Sequence, residues 1–265
     1  MRFTVPSTAN VNISVQKTGA GPPLVLIHGA LLDATTSWGR VLPTLAQHFT
    51  VYTMDRRGRA PSGDSEQYSF SMEADDIVNV VEAIGQPVTV LGHSYGALST
   101  MEALDRLKTV TQLILYEPPV TLSPAGPPDS EIVLGDMDRA LRANDREEIV
   151  KVFLCDQCGE PKELVAAFKS SPIWPVVLEV AATLPRESRA VNAYRDWTER
   201  LARWKIPTAM LLGSKTIATP LRQGSTFVSQ TMPDCRVVIL EGQGHAAMLD
   251  APDYFVQKVL EIIKQ

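Results

Sequence analysis

Cysteine is scarce. Cys155, Cys158 and Cys235 are the only three in the chain, too few and too unevenly spaced for a disulfide framework. Cys155-Asp-Gln-Cys158 is a lone C-x-x-C. A redox motif of this form follows a strand in a βαβ setting, and a structural zinc site needs two further ligands. The surrounding sequence offers neither, so the pair reads as packing or surface thiols in a helix-rich segment, and a reducing cytoplasm is the expected location. Basic clusters are missing too. No Lys/Arg run exceeds Arg56-Arg57, and a net charge of −5 with a pI near 5.5 speaks against a nucleic-acid partner. The first residues, Met1 to Pro6, lack the apolar core of a secretory signal. No apolar run approaches the ~18 residues needed to span a bilayer. Neither G-x-x-x-x-G-K-[S/T] nor H-E-x-x-H occurs, so no nucleotide, flavin or metal cofactor is expected. Histidine, with four copies, is rare enough for each to be weighed singly.

What remains is an ordinary globular composition, 45% hydrophobic and 21% charged over 265 residues, sized for one large α/β domain or a domain with an insertion. Val11, Ile13 and Val15 alternate with polar residues, the period of a half-buried antiparallel strand. Leu24–Ile27 is apolar throughout, as in a strand covered on both faces. A helix from about Ser37 to Gln47, the strand 49–54, an amphipathic helix from Met72 to Ile84 and the strand Val88–Leu91 follow. Gly85 stops the second helix. A helix from Ala97 and the strand Leu113–Tyr116 come next. Short strands alternating with helices predict a parallel sheet flanked by helices. The pattern then breaks. Glu117-Pro-Pro119 opens a Pro-rich stretch through Pro128, and only helical periodicity continues to Trp204. The sheet resumes at Thr208–Leu212, followed by a helix near Leu221–Val228, the strand Arg236–Leu240 and a closing helix over Tyr254–Lys264. The expected organisation is a core of residues 1–119 and 205–265, with 120–204 inserted as an all-helical lid.

Gly92-His93-Ser94-Tyr95-Gly96 stands between the buried strand at 88–91 and the following helix. A serine flanked by glycines at a strand-to-helix turn is the nucleophile-elbow pattern G-x-S-x-G. The turn is so tight that residues two before and two after the serine must lack bulk.

With this elbow, three further landmarks each fall at the carboxyl end of an expected strand: His28-Gly29, Asp55-Arg-Arg-Gly-Arg-Ala-Pro-Ser-Gly63 and Gly242-Gln-Gly-His245. In this order the sequence resembles the α/β-hydrolase superfamily over nearly everything outside the lid, which implies a mostly parallel sheet flanked by helices. The resemblance makes Ser94 the nucleophile. Of the histidines, His28 belongs to the loop that shapes the oxyanion site, His48 lies at the opposite side of the sheet, and His93 is held by the elbow. His245 is left as the base, in a loop at the edge where ligands bind. The family's acid most often follows the strand after the lid, but Gly213-Ser-Lys-Thr-Ile-Ala-Thr-Pro220 has no carboxylate. Asp234 is at the wrong end of the sheet, and Asp250 and Asp253 belong to the closing helix. Glu117 follows the strand beside the elbow's strand, where a branch of the haloalkane dehalogenases places its acid, and it is the expected orienting group. Its bland reading is a hinge residue ahead of two prolines.

The resemblance further implies oxyanion donors at the backbone N–H groups of Tyr95 and Ala30. Leu31 and Lys215 are candidate substrate contacts. Lys215 would favour an anionic substrate if it faced the crevice, but a solvated loop is its plainer reading. Arg56, Arg57 and Arg59 are expected to hold their loop through carbonyls and Asp55 or Asp64, and Trp174, Tyr194, Trp197 and Trp204 to be core. The implied activity is cofactor-independent hydrolysis of a small-molecule ester, thioester or lactone through an acyl-enzyme. A C–C bond hydrolase of a diketone, or a binding protein or isomerase on the same scaffold, is the rival. Oligomeric state is not legible in the residues.

Overall fold

The computed structural model describes residues 1–122, 129–193 and 197–264. One eight-stranded sheet runs through it. In chain order its strands are β1 (Arg2–Pro6), β2 (Asn12–Thr18), β3 (Pro23–Ile27), β4 (Thr50–Met54), β5 (Val88–His93), β6 (Val110–Tyr116), β7 (Thr208–Gly213) and β8 (Cys235–Leu240). In space they lie β1-β2-β4-β3-β5-β6-β7-β8. β2 is antiparallel to both neighbours, and every pairing from β4 to β8 is parallel. After β4 the chain crosses to the far side of β3, so the strand order reverses between β3 and β5. Such a reversal opens a crevice at the carboxyl ends of the strands.

The run Leu24–Ile27 is apolar without interruption because both faces are covered. Leu24 and Leu26 belong to one core, while Val25 and Ile27 belong to the other. The first core holds Trp38, Leu45 and Phe255, from α1 (Ala34–Trp38), α2 (Leu42–Leu45) and α13 (Pro252–Ile263). The second holds Ile77, Val80 and Leu98, from α3 (Phe70–Ile84) and α4 (Tyr95–Ala103). Ser69 caps α3 by accepting from Met72 N–H, and Gly85 ends it at φ 68°. The single helix expected over 37–47 is instead two short ones, α1 and α2. Pro43 explains the break: it has no N–H to donate back and suits a helix's first turn, and it stands in the first turn of α2. β1, which the sequence did not reveal, pairs Phe3 with Val15 and Val5 with Ile13.

Between β6 and β7 come α5 (Ser130–Arg142), α6 (Arg146–Lys151), a π-helical turn at Val152–Gln157, α7 (Lys162–Lys169), α8 (Trp174–Val180), α9 (Leu184–Ala193) and α10 (Thr198–Arg203). Ile149, Val150, Leu154, Val165, Val177 and Leu184 form a separate small core that includes Leu32 from the loop after β3. Ala30, Leu31 and Leu249 pack against it, so the inserted helices rest on the loops at the sheet's carboxyl edge. Trp197, Leu201 and Trp204 are buried in the main core, Trp174 is half-buried, and Tyr194 lies outside the described residues. α11 (Thr219–Thr231) and α12 (Ala247–Asp250) flank β8 in sequence. Among the described residues no single helix is long and apolar enough to cross a membrane.

Candidate active site

Ser94 joins β5 to α4 at φ 52°, ψ −120°, a conformation that costs an L residue on the order of 1–3 kcal/mol. Its surroundings hold it there. The Ser94 N–H donates to the Tyr116 carbonyl at 2.8 Å, and its own carbonyl accepts from Ala97 at 2.9 Å and Leu98 at 3.2 Å. Gly96 has no alternative: a Cβ there would stand 2.5 Å from the carbonyl oxygens of both Ile27 and His28. The close approach sets α4 against the end of β3 and leaves Ser94 half-exposed at the reversal point of the sheet.

The loop after β3 abuts the serine. A Cβ on Gly29 would lie 3.1 Å from Ser94 Cβ. His28 is fully buried. Its Nε2 accepts from Arg56 N–H at 3.1 Å, which puts the ring proton on Nδ1, donated to the Gly29 carbonyl at 2.8 Å. Burial, then the charges of Arg56 and Arg59, push this imidazole well below its ordinary value, so it is neutral. Ala30 follows, half-buried, with its carbonyl accepting from Arg59. Tyr95 is the first residue of α4, so its N–H has no carbonyl within the helix to bond. Its side chain points away into the body: the hydroxyl meets Tyr68 Oη at 2.5 Å, and the ring packs edge-on to Phe70 at 5.7 Å.

His245 and Glu117, far apart in sequence, meet here. His245 Nδ1 lies 2.5 Å from Glu117 Oε2. The other carboxylate oxygen, Oε1, accepts from Gly213 N–H at 2.7 Å and from the Thr216 hydroxyl at 2.6 Å. Glu117 is fully buried, and three donors replace the water that an ionised carboxylate loses. With Nδ1 donating, the lone pair of neutral His245 is on Nε2. His93 stacks on the His245 ring at 4.5 Å between centroids and donates from Nε2 to the His245 carbonyl at 2.8 Å. Burial, and next the charge of His245, push His93 well below its ordinary value. Tyr116 fastens the same loop, donating to the Gly244 carbonyl and accepting from Ala247 N–H.

The structure thus brings Ser94, Gly29–Ala30, Tyr95, Glu117 and His245 to one edge of the sheet. Leu31 joins them, half-buried beneath the inserted helices. Lys215 is exposed, and its loop reaches the carboxylate through Thr216 instead. The three arginines do hold carbonyls, of Gly29, Met72 and Ala30, but their carboxylate partners differ from expectation. They are Glu73, Asp76 and Glu187, whereas Asp55 takes Arg2 and Asp64 takes Arg186. These partners stand on α3 and α9, and no local pattern marks them. Burial alone would raise the Glu187 carboxyl, but Arg56 and Arg59 outweigh it and hold it below its ordinary value. Burial pushes Cys158 up to about 12 and raises Cys155 as well. Among the described residues no group of three or more His, Cys, Asp or Glu is placed to hold a metal.

Comparison with known proteins agrees with this architecture. The pattern of the family described as "Alpha/beta hydrolase family" matches residues 24–258. The crystal structure of an alpha/beta hydrolase from Sphaerobacter thermophilus DSM 20745 is 34% identical, with a TM-score of 0.86 over 98% of this chain and 100% of that one. The esterase RhEst1 from Rhodococcus sp. ECU1013 shares the fold at 22% identity and a TM-score of 0.78, over 100% and 98% of the two chains. A protein of Bacillus subtilis strain 168, named as an uncharacterized carboxylesterase, is 24% identical over 247 residues, 90% of this chain and 78% of that one. With the mostly parallel sheet, the flanking helices and these matches together, the chain belongs to the α/β hydrolase family and is a hydrolase of that fold.

Proposed function

We propose that the protein is a cofactor-independent serine hydrolase acting on a small-molecule ester, thioester or lactone. Ser94 Oγ attacks the carbonyl carbon while His245 Nε2 takes its proton. The carbonyl π electrons move to oxygen, and the resulting oxyanion is held by the N–H groups of Ala30 and Tyr95. Collapse of this intermediate expels the alcohol or thiol, which receives the proton from His245 and leaves an acyl-Ser94. Water activated by His245 then releases the acid. Glu117 keeps the His245 proton on Nδ1 and stabilises the imidazolium.

The observation that carries this reading is the 2.5 Å contact between Glu117 Oε2 and His245 Nδ1, made beside an elbow serine at φ 52°. The esterase and carboxylesterase names among similar proteins favour acyl transfer over other chemistry on this fold. The insertion 120–204 serves as the lid. Leu31, with Phe153 and Trp174 packed on the same small core, offers an apolar wall to an uncharged acyl or alcohol group. Lys215, exposed in the loop after β7, is the candidate contact for a polar or anionic end of the substrate.

A fluorophosphonate probe tests the reading, because it labels only an activated serine. Wild-type protein should be labelled at neutral pH and should hydrolyse p-nitrophenyl esters. Ser94→Ala should lose the label and, judged by triad removal elsewhere, about 10⁶-fold in kcat. Absence of labelling of the wild type would overturn the assignment.

A further inference from the structure

The orientation of the Gly29–Ala30 peptide is set by atoms outside the triad. A trans peptide is planar, with C=O and N–H pointing opposite ways, so whatever holds the Gly29 carbonyl also aims the Ala30 N–H. Two donors hold it, His28 Nδ1 at 2.8 Å and Arg56 Nη1 at 2.9 Å. The next carbonyl, of Ala30, accepts from Arg59 Nη2. Both arginines are themselves held. Arg56 is forked onto Glu73 through Nε at 3.1 Å and Nη2 at 2.8 Å, and its guanidinium lies 4.2 Å from the centre of the Tyr95 ring. Arg59 donates to Thr183 Oγ1 at 2.8 Å and to both oxygens of Glu187. Glu187 also stands 3.1 Å from Arg56 Nη2. All four charged residues are buried. Glu187 and Thr183 come from the inserted helical segment, while Arg56, Arg59 and Glu73 come from the body.

We infer that Glu187 is a positioning residue: from α9 it holds Arg56 and Arg59 so that the Ala30 N–H faces the Ser94 oxyanion, and the oxyanion site is complete only while the inserted helices are seated. The inference rests on the acyl-enzyme reading above. The network is neutral overall, two arginines against two glutamates, and removing one charge would leave an opposite charge buried without its partner, which is costly. Tyr95 is tied to it as well, through the Arg56 stack and through Tyr68, whose hydroxyl bonds both Tyr95 and Glu73. Both proposed oxyanion donors therefore depend on groups that α9 helps to fix.

The test compares transition-state binding with ground-state binding. An arylboronic acid adds to an activated serine as a tetrahedral anion, and its affinity reads the oxyanion site directly. Deleting one oxyanion donor costs about 10²–10³ in kcat, so a misaimed donor in Glu187→Gln should cost roughly tenfold or more in kcat. Boronate affinity should fall by a matching factor, with KM changed less than about threefold. If kcat falls and boronate affinity does not, or if KM carries the loss, Glu187 only supports the fold. Arg59→Met/Glu187→Gln removes one charge of each sign and should recover any stability lost in the single variant, yet keep the catalytic defect; recovery of kcat would overturn the inference. Should either variant fail to fold, Thr183→Val deletes a single acceptor of Arg59 and should show a smaller loss with the same split. Wild-type protein that neither labels with fluorophosphonate nor binds boronate would instead bring down the acyl-enzyme reading itself.

Discussion

Glu117 carries two costs at once, a buried carboxylate and a backbone at φ 48°. Three donors to its oxygens offset the first. Glu117→Gln tests how far they set the role of His245. An amide cannot accept at both ends: turned one way its NH₂ meets Gly213 N–H and the Thr216 hydroxyl, turned the other it meets His245 Nδ1–H. The first sets donor against donor at Gly213 but leaves the Nδ1–H tautomer in place. The second satisfies both donors at Oε1, is therefore the one expected, and opposes that tautomer; a comparable change in another triad lowers kcat about 10⁴-fold. A loss under tenfold would remove Glu117 from the orienting role. Thr216→Val removes one donor of two at Oε1, and a hydrogen bond to a charged group is worth about 1.5–3 kcal/mol. Turnover should fall by roughly tenfold with KM unchanged, read by steady-state kinetics. Glu117 stood out in the sequence as the one carboxylate closing a strand beside the elbow's strand. Thr216 did not, because in Gly213-Ser-Lys-Thr-Ile-Ala-Thr-Pro220 any of three hydroxyls has the same local look, and the contact is made 99 residues away in sequence.

The strands of the parallel sheet were legible because burial on both faces writes an unbroken apolar run, as in Leu24–Ile27 and Leu113–Tyr116. β1 was not, since an edge strand starting with Arg2 and ending with Pro6 takes its register from β2 rather than from its own pattern. The inserted helices were legible by their period, but Glu187 and Thr183 were not legible as partners of Arg59, because ion pairs between elements leave no periodic mark. Glycine illustrates the same limit. Gly96 and Gly135 both sit in helices, and helical glycine costs about 0.8–1 kcal/mol against alanine. Gly135 has open space around a built Cβ, while Gly96 faces two carbonyl oxygens at 2.5 Å. Gly135→Ala should therefore raise the melting temperature by about 1–4 °C, while Gly96→Ala, overpacked against backbone, should lose about 1–3 kcal/mol or more along with activity. Calorimetry of the two variants decides, and a rise for Gly96→Ala would contradict the approach of α4 to β3.

At the scale of the whole molecule, the interior is unusually sensitive to acid, because His28 and His93 are buried as neutral rings. Burial pushes both well below the ordinary 6.5. The unfolded chain takes up protons on these rings near that pH, whereas the folded chain refuses them. Stability therefore falls as pH drops from about 6.5, by up to ~1.4 kcal/mol per pH unit for each ring. Asp55 works in the opposite sense. Burial raises its carboxyl from 3.8 to about 6, so between those values the folded chain holds a proton that the unfolded chain has released, and acid adds stability there. Asp76, also raised by burial, acts the same way. Taken from pH 7.5 to 5.5, the two rings lower stability by up to ~1.4 kcal/mol each, and Asp55 and Asp76 offset part of that loss. Urea midpoints across this range should fall accordingly. His93→Gln keeps a donor for the His245 carbonyl and lacks a titrating ring, so it should flatten the slope by more than half whatever it does to the midpoint itself. An unchanged slope in His93→Gln, or a wild-type midpoint flat from pH 7.5 to 5.5, would mean that the imidazole accepts a proton in the folded chain, which its burial and its contact with His245 oppose.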